Sequence, residues 1–181
     1  MRIIGGAMGG RKIIPPSSMP ETRPTTDVAK EALFNIIENN LDVSLLNVLD
    51  LFSGTGSISY EFASRGAKSI TSVEKDTRMH NFIKKTALQF GMGNILPVKT
   101  EVFKFIEQCG EKFDFIFAGP PYALAQIDDL PVKLFERRLL KNKGWFVLEH
   151  TPRNDYKKFS FYKTERKYGS TVFSIFIETR E

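Results

Sequence analysis

The sequence is poor in the residues that form disulfides and metal centres. Its 181 residues include one cysteine and two histidines. A single cysteine, Cys109, excludes an intramolecular disulfide and a cysteine-ligated zinc site. No apolar run approaches the roughly 20 residues that a transmembrane helix needs, and the first residues lack the apolar stretch of an export signal. We therefore expect a cytoplasmic protein with no membrane segment and no metal.

The composition is that of an ordinary globular domain, but the charge is unevenly distributed. Hydrophobic residues make up 41% of the chain, and the formal net charge is +5. Residues 1–30 carry five Lys or Arg against two acids, and residues 151–181 carry seven against four, whereas residues 31–150 are nearly neutral. Basic ends around a neutral middle suit a polyanion such as nucleic acid. Ordinary solubilising charge is the alternative interpretation.

Apolar patterning predicts alternating strands and helices. The expected strands are 46–51, 69–73, 95–98, 113–118 and 144–148, and the last helix is expected at 127–140. The tail alternates in polarity from Phe159, turns near Gly169 and alternates again through Ile177, which predicts an antiparallel hairpin. The fold class is therefore α/β, with an open, mostly parallel sheet and helices on both faces.

The first residues form a separate feature of the sequence. Two similar segments, 2–6 and 9–14, flank a glycine-rich turn and predict a small β-hairpin. A helix is expected to begin near Pro24 and to end near Asn40, with a hydroxyl cap and an acid in its first turn. We therefore divide the chain into an N-terminal arm, residues 1–24, and a main domain, residues 25–181.

The loop after the first predicted strand has the features of a nucleoside-cofactor site. It reads Asp50-Leu51-Phe52-Ser53-Gly54-Thr55-Gly56. Glycines permit a tight turn and a close approach of the backbone, and the following helix points its N–H groups at the ligand. Glu74, after the second strand, stands where a carboxylate accepts both ribose hydroxyls. A dinucleotide fingerprint would have a third glycine at position 59, where this chain has Ser59, so a nicotinamide oxidoreductase is the weaker alternative.

The loop after the fourth predicted strand reads Gly119-Pro120-Pro121-Tyr122. Two prolines hold a loop in a rigid, extended path and remove two backbone donors. Tyr122 offers a planar face on which a flipped nucleic-acid base could stack. A rigid turn with a buried tyrosine is the structural alternative.

These motifs together resemble those of class I S-adenosylmethionine-dependent methyltransferases that methylate amines. The segments Arg2-Ile3-Ile4-Gly5-Gly6, Gly10-Arg11-Lys12 and Arg23-Pro24-Thr25-Thr26-Asp27 are similar to those of the bacterial family that methylates the N2 amine of guanine 966 in 16S ribosomal RNA. The resemblance implies a Rossmann-like, seven-stranded sheet and S-adenosylmethionine as cofactor. It also implies 16S ribosomal RNA, or a small-subunit assembly particle, as partner of a monomeric enzyme.

The resemblance assigns expected roles to particular residues. The expected cofactor-binding residues are Asp50, Phe52, Ser53, Gly54, Thr55, Gly56, Glu74, Lys75, Glu101 and Val102. The residues expected to contact RNA are Arg2, Arg11, Lys12, Arg23, Thr25, Thr26 and Asp27. The expected catalytic residues are Gly119, Pro120, Pro121 and Tyr122; the Pro120 carbonyl would accept one proton of the target amine, and the Tyr122 ring would stack on the base.

Gly119 departs from the family pattern. The family has an aspartate at this position, and related amino-methyltransferases have Asp, Asn or Ser, whose side-chain oxygen accepts a hydrogen bond from the target amine. Either another acceptor substitutes here, or the activity is weakened, or the glycine is an introduced change. The alternative functions are therefore an impaired cofactor- and RNA-binding module and a methyltransferase acting on another nucleic-acid amine.

Overall fold

A seven-stranded mixed sheet forms the centre of the molecule in the computed structural model, which describes residues 1–18 and 24–180. The strands lie in the order β3-β2-β1-β4-β5-β7-β6. The first five are parallel, β7 is antiparallel to β5, and β6 is antiparallel to β7. The strands are β1 Asn47–Leu51, β2 Ser69–Glu74, β3 Ile95–Lys99, β4 Phe113–Ala118, β5 Leu140–His150, β6 Tyr162–Tyr168 and β7 Thr171–Ile177. The predicted fold class is confirmed.

The described residues form five α-helices, of which α1 precedes the first strand and α2 to α5 connect the parallel strands; side chains cap several of them. Thr26 accepts a hydrogen bond from the first turn of α1, Asp76 does so for α3, and Glu101 for α4. None of the helices in residues 1–18 and 24–180 is long and apolar enough to cross a membrane. The helices are α1 Asp27–Asn40, α2 Ser57–Ser64, α3 Thr77–Gln89, α4 Val102–Gln108 and α5 Asp129–Glu136.

Two hydrophobic clusters cover the two faces of the sheet. Successive residues of a strand point to opposite faces. Val48 therefore packs in one cluster, together with residues of α1 and α2, whereas Leu49 packs in the other, together with residues of α4 and α5. This arrangement leaves the carboxyl ends of the parallel strands as an edge bordered by loops.

The N-terminal residues form the predicted small hairpin. Arg2 pairs with Lys12 in an antiparallel bridge, and Ile3 exchanges backbone hydrogen bonds with the opposite segment. Ile3 and Ile13 are buried in the same cluster as α1 and α2. The hairpin therefore packs directly onto the main domain.

A buried ion pair fastens this hairpin to the helices. The Glu61 carboxylate, on α2, accepts hydrogen bonds from the backbone N–H groups of Ile4 and Gly5, each at 2.9 Å. The Lys30 ammonium, on α1, lies 3.4 Å from Glu61 and donates to the Arg2 carbonyl at 2.7 Å. Both charged side chains are almost completely buried, so each compensates the other's lost hydration.

The predicted boundary between the last helix and the fifth strand is wrong. The helix was expected to extend to Leu140, but α5 ends at Glu136. Arg138 then adopts a left-handed conformation, with a φ of 53°, which no helix can continue through. Leu140 already pairs with Phe113 of β4, so β5 begins four residues earlier than the expected Gly144.

The C-terminal hairpin also starts later than the polarity pattern suggests. The alternation begins at Phe159, but β6 begins at Tyr162. Phe161 has a φ of 65°, which interrupts an extended strand. The turn near Gly169 and the antiparallel pairing are as expected.

Candidate active site

A cavity of about 620 Å³ opens at the carboxyl ends of the parallel strands. This volume is within the usual range for small-molecule sites, about 300–1,000 Å³. The cavity is lined by the predicted catalytic loop Gly119, Pro120, Pro121 and Tyr122, by Thr25, and by Asp50, Phe52, Ser53, Gly54, Thr55, Glu74, Lys75, Glu101 and Val102. The fold thus places the cofactor motif and the base-stacking motif around one space.

Gly56 does not line the cavity but shapes the turn beside it. It is the residue that precedes α2, and its φ of 89° lies in the left-handed region. A Cβ atom at this position would lie 2.6 Å from the Tyr60 ring. The turn therefore needs glycine at position 56 for two reasons, its backbone conformation and the close packing of α2.

Glu74 joins the loops that follow β1 and β2 at the cavity. Its Oε2 accepts a hydrogen bond from the Gly54 N–H at 2.8 Å, and its Oε1 accepts one from the Asp76 N–H at 2.8 Å. Each carboxylate oxygen has two lone pairs, so these bonds still allow a ligand hydroxyl to donate to it. Glu74 thus holds the glycine turn in shape while it lines the cavity.

Asp50 is buried at the end of β1, beneath the glycine turn. The Ser59 hydroxyl donates to its Oδ2 at 2.6 Å and also contacts the Ser72 hydroxyl. Burial raises the pKa of Asp50 to about 7, although the hydrogen bonds from Ser59 and Ser53 oppose this shift. Ser59 stands where a dinucleotide site would have glycine, and its hydroxyl binds this carboxyl group.

The remaining predicted cofactor residues lie at the rim. The Glu101 carboxylate caps α4 by accepting hydrogen bonds from Phe103 N and Lys104 N at 3.0 and 2.9 Å. Glu101 is exposed on its outer side, as is Lys75, whereas Val102 is buried against the second cluster. These residues border the end of the cavity that is remote from the proline loop.

Hydrogen bonds to neighbouring segments hold the loop 119–122, which is predicted to be catalytic. Gly119 N donates to the Leu51 carbonyl at 3.4 Å, which ties the end of β4 to β1. The Pro121 carbonyl accepts from Leu124 N at 2.9 Å and closes a turn after the prolines. Tyr122 is half-buried and lines the cavity.

Sequence reasoning missed Glu149, a buried carboxylate of this cavity. It is the penultimate residue of strand β5, and its Oε2 accepts a hydrogen bond from the Thr25 hydroxyl at 2.5 Å. The Tyr122 hydroxyl donates to its Oε1 at 3.5 Å. The signal that would have found it is an acid at the carboxyl end of an otherwise apolar strand, the position where ligands bind in such sheets.

The predicted RNA-facing residues near α1 have partners within the chain. The Arg2 guanidinium forms an ion pair with Asp27 at 3.1 Å, with both side chains about half exposed. Thr26 accepts a hydrogen bond from Ala29 N at 3.2 Å and so caps the helix. Among the members of this set that the structure describes, Thr25 is the one that lines the cavity.

The other basic residues of the arm lie at the surface. Arg11 and Lys12 are exposed, and the Arg11 guanidinium lies 5.6 Å from the centre of the Phe90 ring. The prediction for Arg23 falls outside the described residues. Within residues 1–18 and 24–180, no group of three or more His, Cys, Asp or Glu side chains could hold a metal ion.

The sheet order and the site together define a class of protein. A sheet ordered 3-2-1-4-5-7-6, with a glycine turn after β1, an acid at the end of β2 and Pro-Pro-Tyr after β4, is that of a class I S-adenosylmethionine-dependent methyltransferase. Within that class, the chain belongs to the family described as conserved hypothetical protein 95, whose model matches residues 1–177.

Characterised relatives agree with this assignment. Over 149 residues, the chain is 32% identical to ribosomal RNA small subunit methyltransferase D of Escherichia coli, a match that covers 82% of this chain and 71% of that protein. A second relative of the same name, from Buchnera aphidicola, is 26% identical over 98% of this chain and 91% of its own length.

Solved structures have the same fold. A hypothetical protein of Thermus thermophilus superposes with a TM-score of 0.85 and 27% identity, covering 97% of this chain and 98% of its own. A 16S rRNA N2-guanine methyltransferase of T. thermophilus, solved with S-adenosylmethionine and guanosine, superposes with a TM-score of 0.68 at 19% identity. That match covers 85% of this chain and 44% of the other.

Proposed function

We propose that this protein transfers the methyl group of S-adenosylmethionine to the exocyclic N2 amine of a guanine in 16S ribosomal RNA. One observation carries the proposal: a single cavity is bordered at one end by the glycine turn and Glu74, and at the other by the loop 119–122. The name of the E. coli relative supports the substrate, since it specifies small-subunit ribosomal RNA.

The cofactor end of the cavity fits a nucleoside with a charged tail. Asp50 and residues 53–55 would hold the methionine end, Glu74 the ribose, and Glu101 and Val102 would border the adenine. Asp50, whose pKa is raised to about 7 by burial, suits the cationic amino group of the methionine, because the cation favours the ionised carboxylate. When bound, S-adenosylmethionine supplies an electrophilic methyl group attached to a positively charged sulfur.

The other end of the cavity fits a flipped base. The Tyr122 ring would stack on the guanine, and the Pro120 carbonyl would accept a hydrogen bond from the N2 amine of that guanine. The rigid proline loop reduces the motion of the bound amine, and burial of the base excludes water. Positioning and water exclusion are the main contributions such a site makes to an in-line displacement.

The basic N-terminal arm would contact the RNA backbone around the flipped base. Arg11 and Lys12 are exposed on the hairpin, where phosphate contacts add affinity without sequence preference. Arg2, Thr25, Thr26 and Asp27 would border the entrance to the cavity. The substrate would be 16S ribosomal RNA or a small-subunit assembly particle in the cytoplasm, and the enzyme would act as a monomer.

Transfer of a labelled methyl group tests this proposal. The protein is incubated with S-adenosylmethionine carrying a radioactive methyl group and with 16S ribosomal RNA, either free or in particles, from cells that lack the modification. We expect incorporation that saturates at about one methyl group per RNA molecule, and none into large-subunit RNA. Binding of S-adenosylmethionine and RNA without incorporation would instead identify an impaired binding module.

A further inference from the structure

We propose that Glu149 is a catalytic residue that replaces the acceptor missing at Gly119. Its carboxylate accepts a hydrogen bond from the target amine and receives the proton that the amine loses. This inference rests on the proposed methyl transfer to an amine, and it names the group that removes the proton.

Glu149 reaches the space that a side chain at position 119 would face. Strands β4 and β5 are adjacent, and Ala118 pairs with Leu148, so the two positions that follow are neighbours at the same edge. A Cβ atom added at Gly119 would lie 3.1 Å from the Phe117 ring and 3.6 Å from the Glu149 Oε2. A side chain at position 119 would therefore begin between this ring and the carboxylate from the next strand.

Two hydroxyl groups fix the orientation of this carboxylate. Thr25 donates to one oxygen and Tyr122 to the other, so the plane of the group is defined from both sides. The residue is 5% exposed and lines the cavity, which shields it from bulk water.

The tyrosine links the proposed acceptor to the proposed base-stacking ring. A guanine stacked on Tyr122 would lie beside the carboxylate that this tyrosine's hydroxyl contacts. The Pro120 carbonyl and Glu149 would then each accept a hydrogen bond from one of the two N–H groups of the amine. This pairing draws the nitrogen lone pair out of conjugation with the ring and towards the methyl group.

The chemical step balances with Glu149 as proton acceptor. The N2 lone pair forms the new nitrogen–carbon bond while the carbon–sulfur bond breaks and leaves its electron pair on the now neutral sulfur. The nitrogen becomes positively charged and loses one proton to the Glu149 carboxylate. The protonated carboxyl group then releases that proton to water when the product leaves, which restores the starting state.

Moving the acceptor between the two positions tests the inference. We expect Glu149→Ala to lower kcat about 100- to 1,000-fold, by analogy with the loss of a preorganised transition-state hydrogen bond. Adding Gly119→Asp to Glu149→Ala should restore kcat at least tenfold. The matched control is Gly119→Ala with Glu149→Ala, which adds the Cβ without an oxygen and should restore nothing.

Three further measurements separate catalysis from folding and from positioning. Calorimetric titration should give the same S-adenosylmethionine affinity for Glu149→Ala and the parent, within about threefold. Glu149→Gln, which keeps the size of the side chain but cannot take up the proton, should also lower kcat with KM for RNA nearly unchanged. Thr25→Val removes one hydroxyl that orients the carboxylate and should cost less than tenfold.

The outcomes distinguish this inference from the proposed function. Parent-like turnover by Glu149→Ala, or failure of Gly119→Asp to rescue it, would overturn the role of Glu149 while methyl transfer by the parent stands. An inactive parent that Gly119→Asp alone activates would also overturn it, because Glu149 would then supply no acceptor. Absence of transfer by the parent and all variants would overturn the proposed function, and the inference with it.

Discussion

At the scale of the residue, two carboxyl groups that line one cavity have different surroundings. Asp50 is buried, and burial raises its pKa to about 7. Glu74 accepts hydrogen bonds from the backbone N–H groups of Gly54 and Asp76. One acid therefore lies beneath the glycine turn, and the other connects that turn to the loop after β2.

Replacing Glu74 by alanine should weaken cofactor binding. The change removes a charged acceptor from two hydroxyl groups and releases the Gly54 N–H that shapes the turn. We expect a loss of about 1–3 kcal/mol in binding free energy, measured by calorimetric titration with S-adenosylmethionine. The control is Glu111→Ala, an exposed acid before β4, which should leave the affinity unchanged. Equal affinities for parent and Glu74→Ala would remove Glu74 from the site.

The buried Asp50 should make stability depend on pH in a defined direction. Its pKa is about 7 in the folded protein and near its ordinary value of 3.8 in the unfolded chain, so the folded state binds the proton more tightly. The contribution of this proton to the free energy of unfolding is complete below the pKa of the unfolded chain and is lost as the pH rises through the pKa of the folded protein. Between these two pKa values, the free energy of unfolding falls by about 1.4 kcal/mol per pH unit.

Asp50→Asn isolates that contribution, because an amide does not titrate. From about pH 5 to about pH 7, the free energy of unfolding of the parent should fall by about 2–3 kcal/mol more than that of Asp50→Asn. Urea denaturation at both pH values measures the difference. Parallel pH profiles for the two proteins would show that the carboxyl group titrates alike in the folded and unfolded states.

At the scale of the element, one buried ion pair connects the N-terminal hairpin to α1 and α2. Lys30 and Glu61 are about 1% and 0% exposed, and Glu61 also pairs with Arg65 at 2.9 Å. Burial lowers the pKa of Lys30, although the neighbouring Glu61 opposes this shift. The hairpin depends on this network, because the backbone N–H groups of Ile4 and Gly5 donate hydrogen bonds to the Glu61 carboxylate.

Neutralising the buried Glu61 should therefore destabilise the fold more than neutralising the exposed Glu38. Glu61→Gln leaves the buried Lys30 charge without its partner and should lower the free energy of unfolding by about 3–5 kcal/mol. The control is Glu38→Gln, which removes the other acid that pairs with Arg65 but is 45% exposed, and should cost less than about 1 kcal/mol. Similar losses for the two variants, measured by urea denaturation, would contradict this account of the hairpin.

The elements that sequence predicted best are those decided by their own residues. Strand β4 is a continuous apolar run between turn residues, and its expected bounds, 113–118, match the structure. The predicted end of α5 was wrong because Leu139 and Leu140 continue the apolar helical pattern. The actual boundary depends on Leu140 pairing with Phe113, a contact distant in sequence.

The same distinction explains which parts of the site could be predicted. The glycine turn and the proline loop are local motifs, and they do border the cavity. Glu149 was missed because its position depends on strand β5 lying beside β4 and on Thr25, which is 124 residues away in the chain. Ser59 was noted only as an absent glycine, whereas its hydrogen bond to Asp50 depends on packing within the fold.

At the scale of the whole molecule, part of the basic charge lies in the N-terminal hairpin, which contacts RNA in our account. The hairpin presents Arg11 and Lys12 at the surface. Single-stranded nucleic acid releases bound cations when a protein neutralises its phosphates, so affinity falls with salt at a slope of about 0.7 per contact. Each basic residue that meets RNA therefore contributes a measurable share of this slope.

Replacing Arg11 and Lys12 together by alanine should lower the salt slope of RNA binding by about 1.5. The matched control is Lys68→Ala with Lys112→Ala, two exposed residues before β2 and β4, at the opposite edge of the sheet from the cavity. Binding isotherms at several salt concentrations give both slopes, and the control slope should equal that of the parent. An unaltered slope in the arm variant would mean that the charge of the arm is only solubilising.

The identity of the methylated nucleoside tests the central claim most directly. The parent protein is incubated with unmodified small-subunit ribosomal RNA and S-adenosylmethionine carrying a deuterated methyl group, and the RNA is digested to nucleosides for mass spectrometry. Our account predicts deuterated N2-methylguanosine as the product, because the cavity presents two acceptors to an exocyclic amine beside a stacking ring. Label on a ring nitrogen of guanine, on adenine or cytosine, or on ribose would contradict it.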